Sequence, residues 1–149
     1  MDKNQRKMKV ALFENRQQAD STSHNVANQL AAVQSQIDVA TEQRPLRYGV
    51  EPVTLVAVSK RQPENKIDAA LEAGQRVFGE NRVQEAIQRW TDRRKVYSDL
   101  ILHLIGPLQT NKVADAVALF DVIEVVDREK LARALAKEMA HQNRFLPCY

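Results

Sequence analysis

The sequence predicts an α/β fold built on a parallel sheet, and three observations carry that reading. Short β-branched apolar runs alternate with amphipathic helical stretches; the strand starts, near 53, 76, 101, 121 and 146, recur every 20 to 25 residues or so; and the first run, Val53–Val58, reads as continuously apolar, as parallel strands covered on both faces are. Two architectures satisfy such alternation, an open doubly wound sheet and a (β/α)8 barrel of which only half is present. Eight units at this spacing plus the preceding segment come to roughly 240 residues, close to the ~250 of a TIM-type barrel. The arithmetic favours the amino-terminal half of a barrel, about four βα units behind an initial helix, interrupted in a fifth strand.

Residues 1–20 are polar without a sustained period and read as an extension, with residues 21–149 forming the barrel portion. The first helix is expected after Ser21-Thr22-Ser23, where a hydroxyl can cap free backbone amides, with Val26, Leu30, Val33 and Ile37 on one face. A loop containing Pro45, Gly49 and Pro52 follows. Val53–Val58 then reads as a strand buried on both faces. Pro63 suits a first helical turn, Ile67, Ala70 and Leu71 form an inner face, and Gly74 supplies the stop. The unit recurs with strand Arg76–Gly79 and a helix capped by Asn81, with Gln84 three residues on and Val83, Ala86, Ile87 and Trp90 inward. Ile101–Gly106 is the third strand, followed by a helix from about Asn111 to Phe120. Asp121–Val126 is the fourth, and Asp127 is the expected cap of a helix that turns Leu131, Leu135 and Met139 inward. Leu146–Tyr149 reads as the opening of a fifth strand.

Composition narrows the function classes. The chain has 149 residues, 22 Lys and Arg against 19 Asp and Glu, and a net charge of +3. Basic and acidic residues are interleaved, so the clustered cations that bind a phosphate backbone are missing apart from Lys3, Arg6, Lys7 and Lys9, and a nucleic-acid partner is not expected. No apolar run approaches the ~18 to 20 residues of a membrane span, and Val10–Phe13 is too short for a signal-peptide core. Cys148 is the only cysteine, which excludes an internal disulfide and fits a cytoplasmic chain. Three scattered histidines do not suggest a metal site.

In parallel α/β folds the functional groups sit at the carboxyl ends of the strands. These are Ser59-Lys60, Gly79-Glu80-Asn81, Gly106-Pro107-Leu108-Gln109 and Val126-Asp127. No glycine-rich phosphate loop is among them. Lys60 follows six apolar strand residues; partial desolvation at a strand mouth would favour the neutral, nucleophilic amine that forms a Schiff base. It also reads as a strand-terminal lysine whose stem snorkels to water. His103 has a parity that faces either the barrel interior or the helix layer, as a ligand-side group or a satisfied core histidine. Asn81 reads as a cap or a ligand contact. Gln109, Asn111 and Lys112 read either as ligand contacts at the third strand's mouth or as a polar turn with Asn111 capping the next helix.

Taken together and in order, Val56-Ala57-Val58-Ser59-Lys60, Phe78-Gly79-Glu80-Asn81-Arg82-Val83-Gln84-Glu85 and His103–Lys112 resemble the pyridoxal phosphate homeostasis proteins, the YggS/PROSC-like family. The resemblance runs from about His24 to the last residue and includes the Ala-Gly-Gln turn at 73–75. It implies a barrel like the amino-terminal domain of alanine racemase, with pyridoxal 5′-phosphate held as a Schiff base on Lys60. Asn81 would lie close to the cofactor, and His103 and Ile105 would line the pocket. The implied role is vitamin B6 homeostasis and cofactor supply, with pyridoxal phosphate-dependent apoenzymes as recipients and no assigned catalytic reaction. The alternatives are a racemase-like enzyme acting on amino acids and an inactive truncated fragment. The family's phosphate-binding loops, one containing serine and one like Arg-Ile-Gly-Thr, have no counterpart in this sequence. Monomer or weak homodimer is the expected state.

Overall fold

The computed structural model describes residues 3–45 and 51–149, with side chains from residue 21 onward. Gly49 and the side chains of Lys3, Arg6, Lys7 and Lys9 lie outside the described residues. The chain divides into two compact units, residues 1–53 with 62–75, and residues 54–61 with 76–149.

The first unit pairs two helices. α1 spans Lys3–Glu42, so it does not begin after Ser21-Thr22-Ser23 as expected. Those hydroxyl residues sit inside a run without glycine or proline, rich in Gln and Ala, and nothing in it breaks the helix. α2, Glu64–Glu72, packs on α1, and Ser23 Oγ donates to Glu72 Oε2 at 3.3 Å. Val26, Leu30 and Ile37 are half-buried, whereas Val33 is exposed. α2 ends as expected: Gly74 has φ +91°, its N–H donates to Leu71 O, and Gln75 N–H donates to Ala70 O. This is the paired closure that a left-handed residue past a helix end permits.

The second unit is a parallel sheet of four strands in the order β1 (Ala57–Val58), β2 (Val77–Glu80), β3 (Ile101–Leu104) and β4 (Val122–Ile123). Three helices belong with it: α3 (Val83–Val96), α4 (Val113–Leu119), entered through a 3-10 turn at Thr110–Lys112, and α5 (Glu129–Gln142). The register sets Ala57 beside Phe78 and Phe78 beside Leu102, and one residue on it aligns Val58, Gly79, His103 and Val122. Paired residues share a face, so the sheet has two unlike sides. Phe78, Glu80, Leu102, Leu104 and Ile123 are buried on one side, where the Phe78 and Trp90 rings meet at 4.6 Å. On the other, Val58 is 46% and Ile101 41% exposed.

Several sequence expectations are corrected. β1 is two residues long, not six, and Val53 and Val58 are exposed rather than buried on both faces. As the edge of the sheet it has one strand neighbour, β2. β4 is likewise shorter than Asp121–Val126. None of the expected caps forms: α3 and α5 start from extended Arg82 and Arg128 without a side-chain cap bond, in place of Asn81 and Asp127. Asn111 lies within the 3-10 turn, whose cap is Gln109. α5 closes on Asn143 at φ 49°, a residue type tolerant of that region. Leu146–Tyr149 does run beside β4, where Ile123 bridges Cys148 and exchanges backbone bonds with Pro147 and Tyr149. No helix among the described residues is long and apolar enough to cross a membrane.

Candidate functional site at the carboxyl ends of the strands

The ladder continues beyond the strands at the carboxyl edge. Ser59 N–H donates to Gly79 O at 3.1 Å, Ile105 N–H to Glu80 O at 2.9 Å, and Glu124 N–H to Leu104 O at 2.9 Å. Two residues past the row Val58, Gly79, His103, Val122 come Lys60, Asn81, Ile105 and Glu124. Of the four sequence-predicted residues, His103 thus lies in β3, while Lys60, Asn81 and Ile105 follow the carboxyl ends of β1, β2 and β3. Lys60 is exposed, in a turn whose next residue, Arg61, has φ 58°. The desolvated strand mouth expected for it is therefore absent among the described residues.

His103 is on the open side, not in the helix layer. Its Nδ1 lies 2.5 Å from Glu124 Oε1, and its side chain is largely shielded while Glu124 is more exposed. Ile105 covers Gly79: a Cβ there would meet Ile105 Cδ1 at 3.0 Å and Val56 Cγ1 at 3.2 Å. Gly106 brings two connections together. A Cβ on it would fall 2.3 Å from Asn81 O and 2.6 Å from Asn81 Cα, so only glycine lets these backbones touch. Asn81, Gln84, Gln109 and Lys112 line a cleft of about 730 Å³ between the same connections. Gln84 donates to Asp115 Oδ2 at 3.1 Å instead of closing a capping box. Free of capping, Asn81 keeps its amide at the carboxyl edge.

The reading of the sequence missed Glu80. Alternation with Phe78 puts this carboxylate on the dry side, where it is fully buried. Oε1 accepts from Ser59 Oγ at 2.7 Å, from Trp90 Nε1 at 2.9 Å and from Arg89 Nη1 at 3.0 Å. Arg89 Nη1 also donates to the Ser59 carbonyl at 2.8 Å. A charge in a strand next to apolar Phe78 demands partners, and Arg89 and Trp90 on the following helix were the available signal.

No protein-family model matches the chain. It is 38% identical over 115 residues to the pyridoxal phosphate homeostasis protein of Escherichia coli K12, covering 75% of this chain and 47% of that protein. The protein of the same name from Pasteurella multocida is 36% identical over 116 residues, 78% of this chain and 49% of its own. Among solved structures, PipY of Synechococcus elongatus PCC7942 with pyridoxal phosphate bound is 40% identical, at a TM-score of 0.66, over 83% of this chain and 52% of that one. An unknown protein from Bifidobacterium adolescentis superposes at a TM-score of 0.74 with 27% identity, over 87% and 55%. The chain spans about half the length of the curated relatives it matches. With three motifs aligned on one sheet edge and this level of identity, the chain belongs, over the part it covers, to the pyridoxal phosphate homeostasis protein family.

Proposed function

We propose that the chain binds pyridoxal 5′-phosphate through a Schiff base on Lys60 and serves intracellular vitamin B6 homeostasis, supplying the cofactor to apoenzymes in the cytoplasm. On this reading the sheet is part of a (β/α)8 barrel, and the open side of the sheet is its interior. The observation that carries it is that Lys60, Asn81 and Ile105 follow the carboxyl ends of the neighbouring strands β1, β2 and β3, with His103 within β3, in a chain related to PipY, which was solved with pyridoxal phosphate bound.

The residues present fit the aldehyde and ring of such a ligand. Lys60 offers an exposed primary amine, Asn81 an amide not used for capping, and Ile105 an apolar surface over Gly79. His103, engaged with Glu124, presents a polar wall beside them. For the phosphate, Arg82 and Arg128 lie at the same edge but are paired with Glu85 and Asp127. When bound, pyridoxal phosphate supplies an aldehyde that condenses with a primary amine, releasing water, and an electron-withdrawing ring. Lys60 donates the nitrogen, Ile105 excludes water from one side, and Asn81 orients polar ring substituents by hydrogen bonding.

Incubation with pyridoxal phosphate, borohydride reduction and peptide mapping test this reading. A reduced adduct on the peptide containing Lys60, lost in Lys60→Ala, is the expected result. Absence of labelling, or labelling that survives Lys60→Ala unchanged, overturns it.

A further inference from the structure

We propose that Glu80 and Arg89 are positioning residues that present Lys60, an inference that rests on the lysine reading above. The backbone around Lys60 has little regular structure to hold it. β1 contributes two residues to the ladder, it forms the sheet edge, and the residue after Lys60 adopts the left-handed region, which a side chain other than glycine enters at a cost. What fixes this segment is a grip on Ser59. Its N–H reaches Gly79 O, its hydroxyl reaches Glu80 Oε1, and its carbonyl accepts from Arg89 Nη1. That carbonyl belongs to the peptide unit that carries the Lys60 nitrogen, so Arg89 sets the plane from which Lys60 departs.

Glu80 in turn fixes Arg89. The same Nη1 donates to the Ser59 carbonyl and to Glu80 Oε1, and Trp90 Nε1 holds that oxygen from the neighbouring helix position. The carboxylate is fully buried and the arginine side chain is 13% exposed, so the pair is shielded from salt and its geometry is narrow. Oε2 is buried without a hydrogen-bond partner among the described residues. One oxygen therefore collects three donors while the other collects none. Such an arrangement sacrifices a hydrogen bond to keep the donors converged on the atom nearest Ser59. Neither residue touches the ligand in this scheme; both act through the backbone of Lys60.

The test uses Glu80→Gln, Arg89→Met and Arg89→Lys, chosen because Glu80→Gln keeps the shape of the side chain and Arg89→Lys keeps a donor. Amide hydrogen exchange at residues 59–61 is measured without cofactor, together with borohydride-trapped pyridoxal phosphate labelling of Lys60 relative to Lys66. Exchange at 59–61 should rise at least tenfold in Glu80→Gln and Arg89→Met while α5 is unaffected, and selectivity for Lys60 should fall several-fold. Arg89→Lys should restore part of both. Unchanged exchange and selectivity in variants with native circular dichroism overturn the inference. If exchange responds but wild-type Lys60 takes no label, the cofactor reading fails and the grip stands. If Lys60 is labelled in every variant with equal selectivity, the cofactor reading stands and the grip fails.

Discussion

Glu80 and Asp121 are both carboxylates bound by arginine, at opposite ends of the same sheet, and they are built differently. At the carboxyl end, Glu80 is fully buried, its donors crowd one oxygen, and the group it fastens is Ser59, immediately before Lys60. At the amino end, Asp121 immediately precedes β4 and divides its bonds. Oδ2 accepts from Leu102 N–H and from Arg94, and Oδ1 accepts from Arg144 Nη2 at 2.9 Å. Arg144 also reaches the Val117 carbonyl, so one carboxylate ties β3, α3, α4 and the segment after α5. Its side chain is 27% exposed. The contrast matches a division common in parallel α/β folds, where the carboxyl face serves the ligand and the amino face serves stability.

Removing the buried member should have the larger effect. Glu80→Ala leaves Arg89 and the Trp90 indole N–H without their acceptor inside the dry layer, and we expect a loss of about 3–5 kcal/mol in chemical denaturation. A smaller loss, near that of an exposed pair, would erase the distinction between the two ends. Asp121→Asn should cost about 1–2 kcal/mol, because water reaches the arginines left behind. The two sites should also respond differently to salt. Half-molar sodium chloride should shrink the Asp121→Asn difference and leave that of Glu80→Ala nearly constant, which parallel denaturation series will resolve.

The smallest expected effect comes from Glu138 on α5, a carboxylate bound by neither kind of cluster. The Gln142 side-chain amide, and after it His141, holds its carboxyl below the ordinary value of 4.5. A value depressed in the folded state means that the contribution is present above about pH 4.5 and is lost as pH falls through the folded value. Thermal midpoints between pH 6 and 3 should therefore fall slightly less steeply in Glu138→Gln than in the wild type. An equal slope would show that the two contacts leave folding unaffected.

How far the sequence revealed this structure depended on the kind of signal. Period and breakers were reliable: the βα alternation, the inner faces of α3 and α5 and the stop at Gly74 follow from spacing and from a residue suited to positive φ. Caps were not. Asn81, Asn111 and Asp127 have the right chemistry, but the cap positions of α3 and α5 fall one residue later, on Arg82 and Arg128. The length of β1 was also illegible, because a run of apolar residues pairs only where a neighbour exists. At the candidate site, the motifs pointed to Lys60, Asn81, His103 and Ile105, which stand as the proposed contacts, whereas Glu80 required knowing that strand parity and helix phase meet at one oxygen.

The contact between Gly106 and Asn81 has a mechanical consequence. Two backbones in contact cannot close further on one another, so the connection after β2 and the connection after β3 set each other's limit of approach. Arg128 Nη2 donates to Leu108 O at 2.8 Å, and Arg128 is paired with Asp127, which ties the connection after β4 to the one after β3. A chain of contacts thus runs from Asn81 through Gly106 and Leu108 to the cap of α5. A larger residue at position 106 would push its first link apart.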